Sequence, residues 1–481
     1  DEEVCVLDQG MPLSKSILWK LQRNFFEGQG IEAWRQGTVP HYITSNPFIA
    51  NAYAKVIFGF IRDCTAVTGD SANDSFPPLD PSQPLYIIEL GSGSGRFAYH
   101  FLKKFLAFYR SSVLKDIPFT YVMTDFSEQN VDFWCEHQSL KPLVDEGVLD
   151  FALFDGEWDD ELKLTESGDV LARGTVKNPM VVIANYFFDS IPQDAFFVQG
   201  GQLQEGLVTV TSYQQEPDLD DQEILSRVQI SYERNRVEPD YYENPEWNEI
   251  LEYYKTRLDD TAFLFPCAAM QCIENFSQIS DGRLLLVSGD KGYSREEDLL
   301  GRGEPAIIRH GSFSMMVNYH AIGKYVVKQG GHPLHTTHRH AHLNISAFLL
   351  GSNPGGYTET HQAYREAIES CGPDDFYALK KAIEHEYHSW TLEQLLAYIR
   401  LSGFDAKITL ACYPALMDRI EYASESEKKE LHRVIQQVWE VYYPLAEDQD
   451  LASHRGVLLY EMGYYTEALE LFARSVELYG P

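Results

Sequence analysis

Basic residues are scarce in this chain: 39 Lys and Arg stand against 72 Asp and Glu, a formal net charge of -33. A protein that grips a phosphate backbone needs a basic footprint, so nucleic acid is excluded as a partner on charge. The acid excess favours solubility and draws basic proteins or cationic ligands. Cysteine is sparse too. Seven thiols (Cys5, Cys64, Cys135, Cys267, Cys272, Cys371, Cys412) are odd in number, scattered and without a C-x-x-C pair. That pattern argues for free thiols in a reducing compartment. No apolar run is long enough to span a bilayer. An initiating methionine is missing as well, since Asp1 opens the sequence. The expectation is a cytoplasmic protein, or one of the mitochondrial matrix if a targeting segment has been removed.

What is present is enough apolar material for a large interior. At 481 residues, 44% hydrophobic and 13% aromatic, the chain should fold as two or three domains. The most informative stretch is LYIIELGSGSGRFAYHFLKKF, residues 85–105. An apolar run ends in Glu89 and Leu90, passes through Gly91, Gly93 and Gly95, and becomes helix-like. A strand, a glycine turn and a helix start are the layout in which a nucleotide-like ligand sits at a strand's carboxyl end. Each glycine allows close backbone approach or a positive φ. Arg96 stands where a dinucleotide fingerprint has its third glycine, and no P-loop lysine follows. Glu89, just ahead of the first glycine, suits S-adenosylmethionine, whose sulfonium and amino group are cationic. The alternative is a tight strand-to-helix connection with no ligand.

Periodicity organises the rest. Residues 46–67 read as a helix, with Pro47 in the first turn and Ile49, Tyr53, Val56, Ile57 and Phe60 at helical spacing. Residues 68–84, rich in Ser, Asp and Pro, read as a surface loop. Short apolar strands are expected at 119–124 before Asp125, at 148–154 before Asp155, at 180–184 before Asn185, and at 283–287 before Ser288 and Gly289. Strands alternating with helical stretches predict a parallel sheet covered by helices on both faces. An insertion of about 195–280 opens with a hairpin, AFFVQGGQLQEGLVTV, turning at Gly200-Gly201. An acidic stretch at 216–223 reads as a solvated loop, and a helical aromatic region through Tyr253 and Tyr254 follows. From 355 to 481 the chain reads as helices. Its end resembles one tetratricopeptide repeat, with Gly463, Tyr465, Ala468, Phe472, Ala473 and Pro481 near the expected positions and repeats expected to continue past Pro481; a generic helical cap is the alternative.

Several segments in order, over approximately residues 40–351, resemble the MidA-like family of S-adenosylmethionine-dependent methyltransferases, which includes the mitochondrial arginine methyltransferase that assists assembly of respiratory complex I. YITSNPFIANAYAKVIF (42–58) resembles the family's Phe-Ile-Thr-Ser-Pro-Glu-Ile segment, ELGSGSG its ELGPGRG loop, and NYFFDSIP (185–192) its Asn-Glu-Phe-Phe-Asp-Ala-Leu-Pro. RLLLVSGDKGY (283–293) resembles a strand ending in Asp-Tyr-Gly, and SMMVNYHAIGKYVVKQGG (314–331) one beginning Ala-His-Val-Asp-Phe. Tyr186 replaces the family's Glu, Asn318 its Asp, and Asn46-Pro47 its Pro-Glu. The resemblance implies a class I methyltransferase fold: Rossmann-like, mostly parallel and seven-stranded, over residues 1–354. It also implies arginine as acceptor, and Thr44 and Ser45 lining the far side of the cofactor.

Methyl transfer asks an enzyme to position two reactants and stabilise shifting charge. The expected cofactor residues are Glu89 and the Gly91, Gly93 and Gly95 backbone at the methionine end, Asp125 for the ribose hydroxyls, and Asp155 for the adenine amino group. Asp125 could instead cap the following helix, and Asp155 could be an ordinary turn residue. Asn185 and Asp189, flanking two phenylalanines, are the expected catalytic pair. Asn185 would offer a carbonyl acceptor and Asp189 a carboxylate that orients or deprotonates an amine or guanidinium. The alternative for Asp189 is the cap of a helix start with Pro192 in its first turn. Tyr186 can orient a nucleophile but supplies no fixed charge near neutral pH. The histidines of HPLHTTHRHAHLNIS (His332, His335, His338, His340, His342) read as a polar strand face, with zinc or nickel binding as the alternative. No metal is assigned. The expected activity is methylation of a protein side chain, with the helical tail meeting protein partners. A non-catalytic scaffold and a small-molecule methyltransferase are the rivals.

Overall fold

The computed structural model describes residues 4–65, 78–351 and 356–480. Seven strands form the central sheet: β1 (Leu85–Leu90), β2 (Phe119–Asp125), β3 (Leu149–Leu153), β4 (Met180–Asn185), β5 (Leu284–Asp290), β6 (His332–Leu334) and β7 (Asn344–Leu350). Their order across the sheet is β6-β7-β5-β4-β1-β2-β3. Parallel pairing runs from β3 to β5, with Ile87 opposite Val181 and Met180 opposite Leu284. The sheet is mixed, not purely parallel, because β7 runs antiparallel to both β5 and β6. Four expected strands fall where the apolar runs placed them. All six residues of β1 are buried, as a strand covered on both faces requires.

Alternate side chains of the strands feed two cores. Ile87 and Tyr121 face the helices Pro47–Thr65 and Arg96–Arg110. Ile88 and Val122 face Pro245–Arg257, Cys267–Ile279 and Tyr319–Lys328. Each fully buried Ile or Val stabilises by about 1.5–3 kcal/mol, so sequence spent on these faces is spent on the fold. The chain lays down β2 and β3 to one side of β1, then crosses to place β4 on the other. The crevice beyond the carboxyl ends of β1 and β4 is therefore the switch point of the sheet.

A second, antiparallel sheet builds the insertion. Asp194–Gln199 and Gln202–Ser212 form the expected hairpin, and φ is positive at both Gly200 (56°) and Gly201 (70°), as a two-residue turn matching strand twist demands. Val228–Arg236 and Thr261–Phe265 extend this sheet. So does Cys5–Pro12, an N-terminal strand that pairs with Gln202–Ser212 and that the sequence did not announce. The helix Ile17–Gln29 follows, capped by the Ser16 side chain on Leu18 N. The acidic stretch is only partly solvated: Glu216 is buried and takes a two-pronged contact from Arg227 at 2.8 and 2.7 Å.

The expected loop at 68–84 lies largely outside the described residues, as do the 354/355 boundary and Pro481. Helices from Pro373 to Tyr479 form a core of their own, ending in a helical hairpin, Leu451–Glu461 and Tyr465–Tyr479, that turns at Gly463, whereas Tyr364, Ala367 and Ile368 belong to the core of the sheet domain. This region also packs on the sheet domain. Tyr364 donates to Ile345 O at 2.6 Å, and Asp63 accepts from Glu359 N, Thr360 N and the Thr360 hydroxyl. The histidine stretch is not one strand. Only His332–Leu334 is extended in the sheet, so His338, His340 and His342 share no strand face. Among the described residues no group of three or more His, Cys, Asp or Glu could hold a metal.

Candidate functional site

Two adjoining cavities occupy the switch-point crevice and share Phe26, Trp34, Gly91, Tyr186 and Ser190 in their walls. The first reaches past Asp125 and Phe126 to Asp155, Gly156 and Glu157. The second runs past Glu89, Ser92 and Ser94 to Asn185, Asp189, Lys291 and His310, with Thr44 and Ser45 on its opposite wall. Nine of the eleven residues expected to form the site line these cavities, Gly93 and Gly95 being the two that do not, and not all play their expected part.

The glycine loop folds by three positive φ values, 62° at Gly91, 53° at Gly93 and 83° at Gly95. Gly91 alone of the three lines the cavities; Ser92 and Ser94 present the remainder of the loop. A Cβ on Gly93 would come 2.8 Å from the Trp34 ring, which covers the loop. Asp125 accepts from Gly93 N at 3.2 Å and Ser127 N at 3.1 Å, so one buried carboxylate fixes both the loop and the entry to the next helix. The helix Glu128–Glu136 has no side-chain cap, so capping in the strict sense is not its task.

Glu89 is buried at the end of β1 and accepts from the Ser92 hydroxyl at 2.9 Å and the Tyr121 hydroxyl at 3.0 Å. Burial pushes its carboxyl up to about 7 against the pull of those two donors. A carboxylate so placed is poised to gain from a cation in the cavity. Asp155 is already engaged: Arg23 reaches it at 2.5 Å, and its other oxygen accepts from Glu157 N. Thr44 and Ser45 both turn their hydroxyls back to His41 O, at 3.2 and 2.7 Å.

At the end of β4, Asn185 Oδ1 accepts from the Tyr53 hydroxyl at 2.6 Å. The expected carbonyl acceptor is thus occupied, and what remains is Asn185 Nδ2, a buried donor without a partner. Tyr186 follows with φ 46°, a left-handed conformation costly for a side chain of this size, and it lines both cavities. Asp189 sits in a single turn, Phe188–Ser190, that leads to extended backbone, so no helix starts there. It accepts from the Ser190 hydroxyl at 2.8 Å and is hydrogen-bonded to Asp290 at the end of β5. Burial raises both carboxyls; the charge of Asp189 lifts Asp290 further, well above the carboxylate range, while the hydrogen bond with Asp290 pulls Asp189 back, so the pair holds a proton on the Asp290 side.

Sequence reading missed the roof and the back wall. Trp19, Gln22, Arg23, Phe26 and Trp34 close the crevice from the N-terminal segment, and only their aromatic content hinted at it. Asp290 and Lys291 lie just past Ser288 and Gly289, where the apolar run of that strand ends, and within the segment that resembles a strand ending in Asp-Tyr-Gly. Asn318 faces elsewhere, capping Tyr319–Lys328 at Ala321 N and donating to Leu264 O.

Residues 72–302 match the model of the family described as "Putative S-adenosyl-L-methionine-dependent methyltransferase". The chain carries an S-adenosylmethionine-dependent methyltransferase domain. Its cofactor is S-adenosylmethionine. The unpartnered Asn185 amide, the buried Glu89 carboxyl and the exposed loop backbone at Gly91 are a donor and acceptor set that fits this cofactor. No curated protein matches the methyltransferase chain. Among the solved structures that resemble it are two from Burkholderia thailandensis, both 13% identical. One is an uncharacterised protein, covering 71% of this chain and 87% of its own at a TM-score of 0.43. The other, bound to S-adenosyl-homocysteine, covers 71% and 88% at 0.44. Among the described residues, no helix is long and apolar enough to cross a membrane.

Proposed function

We propose that this methyltransferase acts on a cationic nitrogen of a protein side chain, with arginine as the first choice. The observation that carries the reading is Asp189: a buried carboxyl, paired with Asp290, in the wall of the same cavity as Glu89 and Asn185. When bound, S-adenosylmethionine supplies an electrophilic methyl group on a sulfonium. Glu89 and the Gly91–Ser92 backbone would hold its methionine end, and Asp125 and the Asp155 side of the crevice its nucleoside. Asn185 would donate from Nδ2, held in place by Tyr53. Asp189 would then orient a guanidinium or amine by charge and take the proton that the nitrogen must lose. Asp290, holding its own proton, keeps two adjacent carboxyls from ionising together. Phe26 and Trp34 exclude water, which strengthens every one of these interactions.

The tyrosine at 186 takes the place of a fixed charge, leaving Asp189 as the anion that would face a guanidinium. The tetratricopeptide-like hairpin and the helices before it would receive the protein partner, in a compartment where all seven cysteines stay free, as they are here. A second reading, a small-molecule acceptor, is favoured by the aromatic roof, which narrows access to the crevice. Incubation with methyl-labelled cofactor decides between them. Label in a protein band, recovered as methylarginine, is expected; label only in small molecules would overturn the protein reading.

A further inference from the structure

The glycine loop is held from behind by residues some 350 positions away. Tyr443 lies in the segment between the helices Glu425–Glu440 and Leu451–Glu461 and is almost wholly buried. Its hydroxyl donates to Ser94 O at 2.8 Å and lies 2.8 Å from the position a Cβ on Gly95 would take. Gly95 is thus a glycine twice over: its φ is positive, and the space its side chain would fill belongs to Tyr443. The Tyr443 ring stacks on His137 with centroids 4.1 Å apart and planes 8° from parallel. Glu447 takes both arms of Arg96, the first residue of the helix after the loop, at 3.0 and 2.9 Å. Leu445 O accepts from Arg35 Nε at 2.7 Å, and Arg35 adjoins Trp34, the roof over Gly93.

One strap therefore fastens the loop, the helix it opens and the roof. Three glycines within five residues have little stiffness of their own, and the conformation of the loop must be supplied by neighbours. Asp125 supplies the Gly93 amide end and Trp134 Nε1 the Gly93 carbonyl, at 2.8 Å. The next carbonyl, Ser94, is left to Tyr443.

We propose that Tyr443 is a positioning residue for cofactor binding, and that residues 442–447 couple the helical region to the affinity of the methyltransferase site. Cofactor binding and docking of the helical region then strengthen one another by the same factor. The idea rests on the cofactor assignment, and the test separates the two. The unmodified chain, Tyr443→Phe and Glu447→Gln are titrated with S-adenosylhomocysteine by calorimetry, and KM for S-adenosylmethionine and kcat are measured by transfer of labelled methyl to the acceptor protein. Tyr443→Phe keeps the ring stack and removes one hydrogen bond. About fivefold weaker binding and a matching rise in KM are expected, with kcat at saturation within twofold. Glu447→Gln should move in the same direction. Hydrogen exchange provides the reciprocal readout: S-adenosylhomocysteine should protect amides at 441–443 in the unmodified chain. A merely structural Tyr443 would lower thermal stability and leave affinity unchanged. Equal affinity in all three proteins, or no protection of the strap, overturns the coupling; failure of the unmodified chain to bind overturns the cofactor site itself.

Discussion

Tyr53, in the middle of the helix Pro47–Thr65, donates a 2.6 Å hydrogen bond to Asn185 Oδ1 at the end of β4, and Gly289 on β5 leaves both of them room. A Cβ on Gly289 would stand 2.8 Å from the Tyr53 hydroxyl and 3.0 Å from Asn185 Oδ1. The bond fixes which face of the amide the cavity sees. Tyr53→Phe should leave the fold intact and let Asn185 turn, costing about tenfold in kcat/KM, while Gly289→Val should push the pair apart and cost more. Steady-state kinetics with the two variants, alongside their melting temperatures, checks this; unchanged kcat/KM in Tyr53→Phe would remove the amide's orientation from the argument.

Glu89 gives the binding step a pH dependence. Burial lifts its carboxyl to about 7, so in the free protein it is protonated below that pH and ionised above it. Only the ionised form gains from a cationic ligand. Affinity for S-adenosylmethionine should therefore fall roughly tenfold per pH unit on the acid side of about 7 and level off above it, with a proton released on binding below 7. Calorimetry in two buffers of different ionisation enthalpy, from pH 5.5 to 7.5, measures both effects. Glu89→Gln should bind weakly and without that slope.

How much of this was readable follows from where each signal lies. The strands of the sheet were legible because each is a short apolar run closing on a polar residue, and burial on both faces permits nothing else. The hairpin was legible from Gly200-Gly201, where both positions need positive φ. The roof was not: Trp19, Phe26 and Trp34 are ordinary core-forming residues in sequence, and only the pairing of Cys5–Pro12 with Gln202–Ser212 carries them to the crevice. Asp155 does follow a strand of the sheet, but nothing local reveals that Arg23, 132 positions earlier, takes its carboxylate. The Asn185 carbonyl was lost to Tyr53 in the same way. Residue type and position within an element survive in the sequence; long-range partners do not.

Asp189 is where binding and chemistry should separate. It lines the acceptor side of the crevice, and its burial beside Asp290 raises it above the ordinary carboxylate range. Asp189→Asn should bind S-adenosylhomocysteine within about twofold of the unmodified protein, yet lose about 100-fold or more in kcat, the usual worth of a positioned base. Because the carboxylate must be ionised to accept a proton, activity should fall as pH drops below its raised value, and that acid limb should disappear in the variant. Normal turnover by Asp189→Asn would take this residue out of the chemistry without touching the cofactor assignment.

Asp63 tests whether the helical region is part of the methyltransferase or an appendage. Its carboxylate accepts from Glu359 N at 3.0 Å, Thr360 N at 2.8 Å and the Thr360 hydroxyl at 2.7 Å, satisfying the open amides at the start of the helix Thr358–Tyr364. The contact is close because Gly59, one turn earlier, has no side chain; a Cβ there would meet Glu359 O at 2.8 Å. Removing the carboxylate strands those donors in a buried seam, at a cost of about 1–3 kcal/mol. Asp63→Ala should therefore lower the melting temperature of the whole chain in one transition if the regions fold together. Two separate transitions, with only the second displaced, would mean that the helices melt on their own and that the seam transmits little to the sheet.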